Sequence, residues 1–484
     1  MSGAWQFTSE WHVIAQALAV LLAVLATGHA LLYKRDSRAV VAWLGFIWLA
    51  PVVGPALYLI LGVNRIKREA VLLRGGMERY QSESGTFACP PELLEEQLPE
   101  DATHLVPLAA AVARVSGRPL APGNMIETLV NGDAAYPAML EAIASAKRSI
   151  TLVTYIFDRD SVGLEFADAL GAAVKRGVEV RVLIDGTGSR YSWPSILNAL
   201  RQRGIPHARH LPTYPWKLSA INLRNHRKIM VVDGGLGFTG GMNIRVGHWL
   251  GRNPRSPVQD IHFRLRGPIV AQLQEAFADD WLFSAREALR GEAWFPRLDA
   301  AGGVLARSVV DGPDEDFGKL RWTILAALGA ARRSVRIMTP YFLPDQPVIS
   351  ALNVAVMRGV AVDIVLPSKN NLPFVHWASV AQWWQVLEHG CRIHLTPPPF
   401  DHSKLFVVDE RWTLIGTSNW DPRSLRLNFE FNVECYDRPL AASLASLVDA
   451  RIAASRQVSL RDVNSRSLPV QLRDGVTRLF TPYL

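Results

Sequence analysis

The chain has 484 residues, enough for two domain-sized cores and an appendage. Its net charge is +8 and its mean hydropathy +0.10, a balance that suits a basic protein with a membrane part and an anionic partner, either nucleic acid or an acidic lipid surface. Three cysteines, Cys89, Cys391 and Cys435, are spread too far apart for a disulfide framework or a metal-ligand pattern.

The chain opens on two apolar runs. Val13 to Leu32 is interrupted only by Gln16, Thr27, Gly28 and His29, and Ala39 to Leu61 carries no charge at all. Each is close to the ~20 residues a helix needs to cross a bilayer, so residues 1–68 read as a membrane hairpin. A cleaved signal peptide fits poorly, because no Lys or Arg precedes the first run and a second run follows at once. Pro51, Gly54 and Pro55 sit inside the second run and predict a kinked or re-entrant segment. Trp5 and Trp11 flank the entry as interfacial anchors do. Arg65, Lys67, Arg68, Arg74 and Arg79 follow the hairpin, which by the positive-inside rule favours a cytoplasmic catalytic region. Residues 69–120, with Cys89-Pro90-Pro91 and an acidic patch around Glu92, Glu95 and Glu96, read as a linker.

From about Gly123 the chain repeats one plan, with halves expected at 121–300 and 301–484. Ala146-Lys147-Arg148-Ser149-Ile150 matches Ala331-Arg332-Arg333-Ser334-Val335, and each leads into an apolar strand-like run. A helical pattern then closes on Arg176-Gly177-Val178 or Arg358-Gly359-Val360, where glycine suits a helix C-cap. A buried-type strand follows, Val180 to Ile184 or Val362 to Leu366, and a second helix ends near Gly204 or Gly390. Helices alternating with short apolar strands imply an α/β layered unit present twice.

Each copy then carries the same phrase. His226-x-Lys228 is followed by Asp233, Gly240-Gly241 and Asn243, and His402-x-Lys404 by Asp409, Gly416-x-Ser418 and Asn419. In both, Lys lies two, Asp seven and Asn seventeen residues after His. On a strand, residues two apart share a face, so each His and Lys point the same way and can receive one phosphoryl group. The glycines permit a tight turn from which the Asn amides can donate. Metal ligation by the histidines is disfavoured, because each brings a lysine and no third ligand lies at suitable spacing. One such match would carry little weight; two in register point to half-sites meeting across one substrate.

This phrase resembles the signature of the phospholipase D superfamily, H-x-K-x4-D with a G-G/S-x-N tail, and the resemblance covers roughly residues 123–484. Within the superfamily the chain looks most like bacterial cardiolipin synthases. Pro51-Val52-Val53-Gly54-Pro55 with Tyr58, Gly62 and Asn64, the stretch Asn225 to Asn243, and Asp421-x-Arg423-Ser424 with Asn428-x-Glu430 carry that likeness. It implies two duplicated α/β/α sandwich domains in pseudo-two-fold arrangement behind the hairpin, placed in the bacterial cytoplasmic membrane. It also implies transfer of a phosphatidyl group between two phosphatidylglycerol molecules through a phosphohistidine, with anionic membrane lipids as partners. No cofactor, metal or oligomeric state is implied, and nucleic acid is not the expected substrate. His226 is then the nucleophile and His402 the general acid/base, with Lys228, Lys404, Asn243, Asn419 and Ser418 supporting the phosphate. A carboxylate holds each imidazole: Asp260 fits His226 and Glu430 fits His402. Asp233 and Asp409 are expected to be mainly structural, pairing with basic groups. The alternatives are hydrolysis to phosphatidic acid and a membrane-tethered phosphodiesterase or nuclease. One departure stands out: Arg245-Val246-Gly247-His248-Trp249 occupies a stretch where acidic residues and a Tyr are usual. Aromatics in predicted loops, among them Tyr191, Trp193, Tyr214, Trp216, Trp249, Phe374, Trp377 and Trp383-Trp384, could line a lipid entrance or fill the core.

Overall fold

The structure, a computed structural model, describes residues 3–34, 37–62, 98, 100–211, 223–313 and 316–481. The basic run from Arg65 to Arg79, Cys89, the acidic patch at Glu92 to Glu96 and the Tyr214 and Trp216 loop lie outside the described residues. The chain forms two compact units, Met1–Glu69 and Ala70–Leu484.

In the first unit a helix spans Gly3–Tyr33, and its segment His12–Tyr33 is long and apolar enough to cross a membrane. The second run is broken, as its prolines predict. Its helix Ser37–Leu49 rises only about 20 Å for 13 residues, short of the ~30 Å hydrocarbon core. The chain turns at Pro51 into a short helix Val53–Leu57 and a π-helical turn Tyr58–Gly62. Gly54 permits this return: a Cβ there would stand 2.6 Å from the Phe46 carbonyl oxygen and 2.7 Å from Ile47 Cα. Ala23, Ala26, Ala30, Ile47 and Tyr58 form the buried contact, and the Tyr58 hydroxyl shares a 2.8 Å hydrogen bond with His29 Nδ1.

The second unit is built on one continuous sheet through both repeats. From one edge it runs His207–His210, Glu179–Asp185, Ser149–Thr154, Ile229–Val232, Leu236–Gly240, Ile261–Arg266 and Ala121–Val130. It continues through Val304–Asp311, Asn428–Tyr436, Trp412–Gly416, Leu405–Val408, Ser334–Met338, Ala361–Pro367, Arg392–Thr396 and Arg456–Val458. Ala121–Val130 pairs antiparallel with Val304–Asp311, joining the halves at Ala121 opposite Ala306. In each half the strands toward the outer edge pair in parallel, Ser149–Thr154 with Glu179–Asp185 and Ser334–Met338 with Ala361–Pro367, while those nearer the seam pair antiparallel. Such parallel strands are covered on both faces, which is why they read as continuous apolar runs.

One face of the sheet is shared. The helices Ile269–Ala285 and Arg438–Ala453 cover it and contribute Phe277, Trp281, Leu444 and Val448 to a core that takes strand residues from both halves. The other face is split into a core for each half. Local signals act where expected. Asp160 and Asp345 cap the helices Ser161–Lys175 and Gln346–Met357, accepting from Gly163 N and Val348 N. Gly177 and Gly359 end those helices with φ of 86° each, a conformation glycine adopts without strain.

Candidate active site

The His-Lys phrases sit where the halves interlock, through two short parallel pairings. Arg224–Asn225 pairs with Asn428–Phe429 of the second half, and His226 N donates to Phe429 O at 2.9 Å. Phe400–Asp401 pairs with Val258–Gln259 of the first half, and His402 N donates to Gln259 O at 2.7 Å. Each histidine is therefore latched to the segment of the opposite half that continues into a buried carboxylate. His226 Nδ1 lies 3.0 Å from Glu430 Oε2, and His402 Nδ1 lies 2.8 Å from Asp260 Oδ2.

This crosses the pairing expected from the sequence, which assigned Asp260 to His226 and Glu430 to His402. The physical reason is the clasp: a two-residue ladder across the seam fixes each histidine backbone to the partner half, so its ring meets the carboxylate that follows that ladder. The strands begin at Ile229 and Leu405, so each His and Lys lies in the link between a crossing and a strand rather than on one strand face as expected.

With Nδ1 facing a carboxylate, each ring carries its proton there and leaves Nε2 as the reacting nitrogen. Each imidazole residue is 9% exposed, so the site is reachable but largely dry. Lys228 Nζ donates to His226 O at 2.7 Å, and Lys404 Nζ, which donates to His402 O, lies 3.1 Å from His402 Nδ1. The two phrases form one electrostatic cluster: Lys404 acts on His226, and both Lys228 and His226 act on His402. Burial pushes Lys228 down to about 7 and Lys404 to about 8, against the pull of Glu430 and Asp260. Burial also lowers His226, opposed by Glu430, and lowers His402 well below the usual histidine range, assisted by both lysines. Burial thus favours the neutral form of both imidazoles.

The carboxylates differ. Burial works to raise Glu430, but His226, Lys228 and the Thr417 hydroxyl outweigh it and hold it below the usual range. Thr417 Oγ1 donates to Glu430 at 2.5 Å and Asn428 Nδ2 to it at 3.1 Å. Burial raises Asp260, despite Lys404 and the Ile261 amide. At the position matching Thr417 stands Gly241, where a Cβ would fall 2.2 Å from Asp260 Oδ1, so the aspartate occupies the space a side chain would take. Asn243 Oδ1 accepts from Ile156 N at 3.0 Å, which aims its amide NH2 elsewhere, while Asn419 is held by its backbone N on Ser424 Oγ at 3.1 Å. Ser418 Oγ is taken by Asn432 Nδ2 at 2.8 Å.

Asp233 and Asp409 stand away from the imidazoles, beyond the far ends of four-residue strands, on the order of 15–20 Å along the chain from the lysine end. Asp233 accepts the backbone amides of Lys147, Arg148 and Ser149, and Asp409 those of Arg332, Arg333 and Ser334. Their partners are thus main-chain N–H groups of the basic residues rather than the side-chain charges anticipated. Both adopt left-handed φ, 52° and 53°. His104 Nε2 adds a 2.9 Å contact to Asp409 alone.

Several residues near the imidazoles had no assigned role in the sequence. Tyr155 packs edge-on to His226 with centroids 5.3 Å apart and links it to Tyr191, which is exposed. Tyr341 and Phe400 flank His402 at 6.3 and 5.9 Å. His248, from the departing stretch, is buried with its ring 6.3 Å from that of His402, and its Nδ1 has no partner. Arg423 is close enough to Arg224, Tyr155 and Tyr191 to feel all three, placing two guanidinium groups beside the His226 side. In the chain Arg423 and His248 follow the repeated phrases closely, whereas Tyr155, Tyr191 and Tyr341 lie tens of residues before them. Of the loop aromatics, Trp193, Tyr191, Phe374 and Trp384 are exposed, whereas Trp383 is core.

Two buried histidine-lysine pairs that form one electrostatic cluster at the seam of a duplicated α/β sheet match the phospholipase D signature, and comparison with known proteins agrees. A family model described as "Cardiolipin synthase, PLD-like domain" matches residues 139–281 and 324–452, and one described as "Phospholipase_D-nuclease N-terminal" matches 21–62. Cardiolipin synthase 1 of Bacillus anthracis is 32% identical over 93% of this chain and 90% of its own length. Cardiolipin synthase A of Pseudomonas fluorescens is 30% identical over 98% of this chain and 99% of its own. The crystal structure of phosphatidylserine synthase from Haemophilus influenzae shares the fold, with a TM-score of 0.62 at 16% identity over 78% of this chain and 100% of that one. The chain belongs to the cardiolipin synthase family of phospholipase D-like proteins.

Proposed function

We propose that this protein joins two phosphatidylglycerol molecules into cardiolipin and glycerol. Its catalytic halves would be 121–300 and 301–484, reached from the membrane hairpin of 1–68 through 69–120, a stretch expected as a linker whose helix Val106–Ser116 instead packs into the core of the second half. His226 Nε2 attacks the phosphorus of one lipid, the bond from phosphorus to the glycerol oxygen breaks, and His402 delivers a proton to that oxygen. A hydroxyl of the second phosphatidylglycerol then loses its proton to His402 and attacks the phosphohistidine, releasing cardiolipin and restoring His226. Lys228, Lys404 and the amides of Asn243 and Asn419 hold the non-bridging oxygens. The anionic phosphodiester brings the negative charge that raises the proton affinity of His402, which burial and the two lysines otherwise keep low.

The crossed pairing carries this reading: one cleft with two carboxylate-held imidazoles has a nucleophile and a separate proton carrier. The order of roles rests on the carboxylates. Glu430, held ionised by its hydrogen bonds, is the better support for a ring that must take positive character on attack, which favours His226 as nucleophile. The paired arginines Arg224 and Arg423 suit an anionic headgroup on that side.

The lipid substrate agrees with the membrane segment, and the basic run after it supports a cytoplasmic catalytic unit in a bacterial inner membrane. The test is incubation with phosphatidylglycerol vesicles and resolution of the lipid products. Cardiolipin and glycerol in equal amounts, absent for His226→Ala, are expected. Phosphatidic acid alone would mean that water takes the place of the second lipid, and release of nucleotides from single-stranded DNA in place of lipid turnover would move the enzyme to another substrate class.

A further inference from the structure

The helix Leu468–Leu479 is turned inside out. Asp474 and Thr477 are buried at 1% and 5% exposure, while Leu468, Leu472, Val476 and Leu479 stand 55–72% exposed. Spaced four, four and three residues apart, these four lie along one stripe of the helix, and Phe480, 54% exposed, extends its edge. A surface helix of a water-soluble domain presents the opposite pattern, and a contiguous exposed apolar stripe marks an interaction surface.

The polar side faces the protein. Asp474 pairs with both Arg466 and Arg473, the latter at 2.7 Å, and the Arg473 guanidinium lies 4.2 Å above the ring of Trp377 in the helix Pro373–Val380. The start of that neighbouring helix adds Leu372 and Phe374, 45% and 60% exposed. The burial of Asp474 and the stacking of Arg473 on Trp377 therefore set which face of the helix turns inward. The segment 460–484 carries four arginines and two aspartates, and Arg473 and Arg478 flank the leucine stripe on its two sides.

We propose that this face is a second membrane contact: the Leu468–Leu479 helix lies in the interface of an anionic bilayer, its aliphatic stripe among the acyl chains and its arginines at the headgroups. Aliphatic side chains bordered by arginine fit an acidic lipid surface. The chain also supplies the bilayer. An apolar segment long enough to span a membrane tethers the catalytic unit beside it, so the effective lipid concentration is high and a weak interfacial helix suffices.

The test uses the full chain in proteoliposomes. Leu472→Cys in a Cys89→Ser background carries an environment-sensitive fluorophore, with the same label at the exposed Glu141 of the first half, through Glu141→Cys, as reference. Brominated acyl chains should quench the Leu472 label several-fold more than the Glu141 label. The excess should be larger in vesicles containing phosphatidylglycerol than in pure phosphatidylcholine, and Arg478→Gln should reduce that difference. Equal quenching at both positions would overturn the proposal. So would a Leu472 signal that ignores bromolipid and follows protein density, which would assign the stripe to a second copy of the chain, and an excess indifferent to lipid charge would remove the arginines from it. None of these readings requires turnover, so they stand apart from the identity of the lipid product.

Discussion

The two halves share a phrase but not a chemical environment. Around His226, Glu430 collects Thr417, Asn428 and Lys228 and stays ionised; around His402, Asp260 sits against bare glycine with fewer donors and an upward shift. A third imidazole, His248, also lies beside His402. Duplication supplied two equal imidazoles, and their supports set them apart. The difference teaches that roles in a symmetric site are assigned by what stands behind each reacting group rather than by the group itself.

The strongest way to break this comparison is to remove each ring in turn. His226→Ala should lower transfer by on the order of 10⁴-fold or more, whatever the leaving group. His402→Ala should fall as far with phosphatidylglycerol but recover substantially on a phosphodiester with a nitrophenol leaving group, which needs no proton. Initial rates on both substrates decide it, and recovery by His226→Ala instead would exchange the roles. Next come the carboxylates: Glu430→Gln should cost about 10²-fold and Asp260→Asn about 10-fold in kcat. Equal losses would erase the asymmetry argued from their hydrogen bonds.

A smaller effect should appear with pH. Lysine is charged below its pKa and neutral above it, so with Lys228 near 7 and Lys404 near 8, kcat/KM should decline as pH rises through that range. A rate profile flat to pH 9 would place both ammonium groups elsewhere in the mechanism. The smallest expected effect falls on the aspartates. Asp409→Ala should destabilise by roughly 2–3 kcal/mol and Asp233→Ala by about 1 kcal/mol, since the former is buried and gains His104. Thermal midpoints in detergent measure this, and activity per folded molecule should survive both changes.

Much of this was legible beforehand. The repeated spacing picked out the histidines and lysines that form one electrostatic cluster, Gly177 and Gly359 ended their helices, and Pro51 announced the break in the second apolar run. The carboxylates were found but assigned to the wrong rings. Along the chain Asp260 follows His226 and Glu430 follows His402, and nothing in linear order signals that Arg224–Asn225 and Phe400–Asp401 cross the seam. Two-residue ladders are too short to leave a periodic trace. Asp233 and Asp409 were expected to be structural through basic side chains, and they instead tie down the main-chain amides of a loop. The leucine stripe of the last helix was missed for a different reason: periodicity predicts an apolar face without telling which way it turns, and only the burial of Asp474 reverses it.

The two small clasps at the seam have a consequence for how such a protein can be divided. Neither repeat owns a finished dyad, since the imidazole of each is completed by an acid the other contributes. A fragment ending between them would be inert however well it folded, and mixing the separate fragments should restore turnover only as fast as they associate. An ancestor with a single repeat could have worked only as a pair, so fusion into one polypeptide turned an encounter between molecules into a permanent internal contact, after which each side was free to specialise.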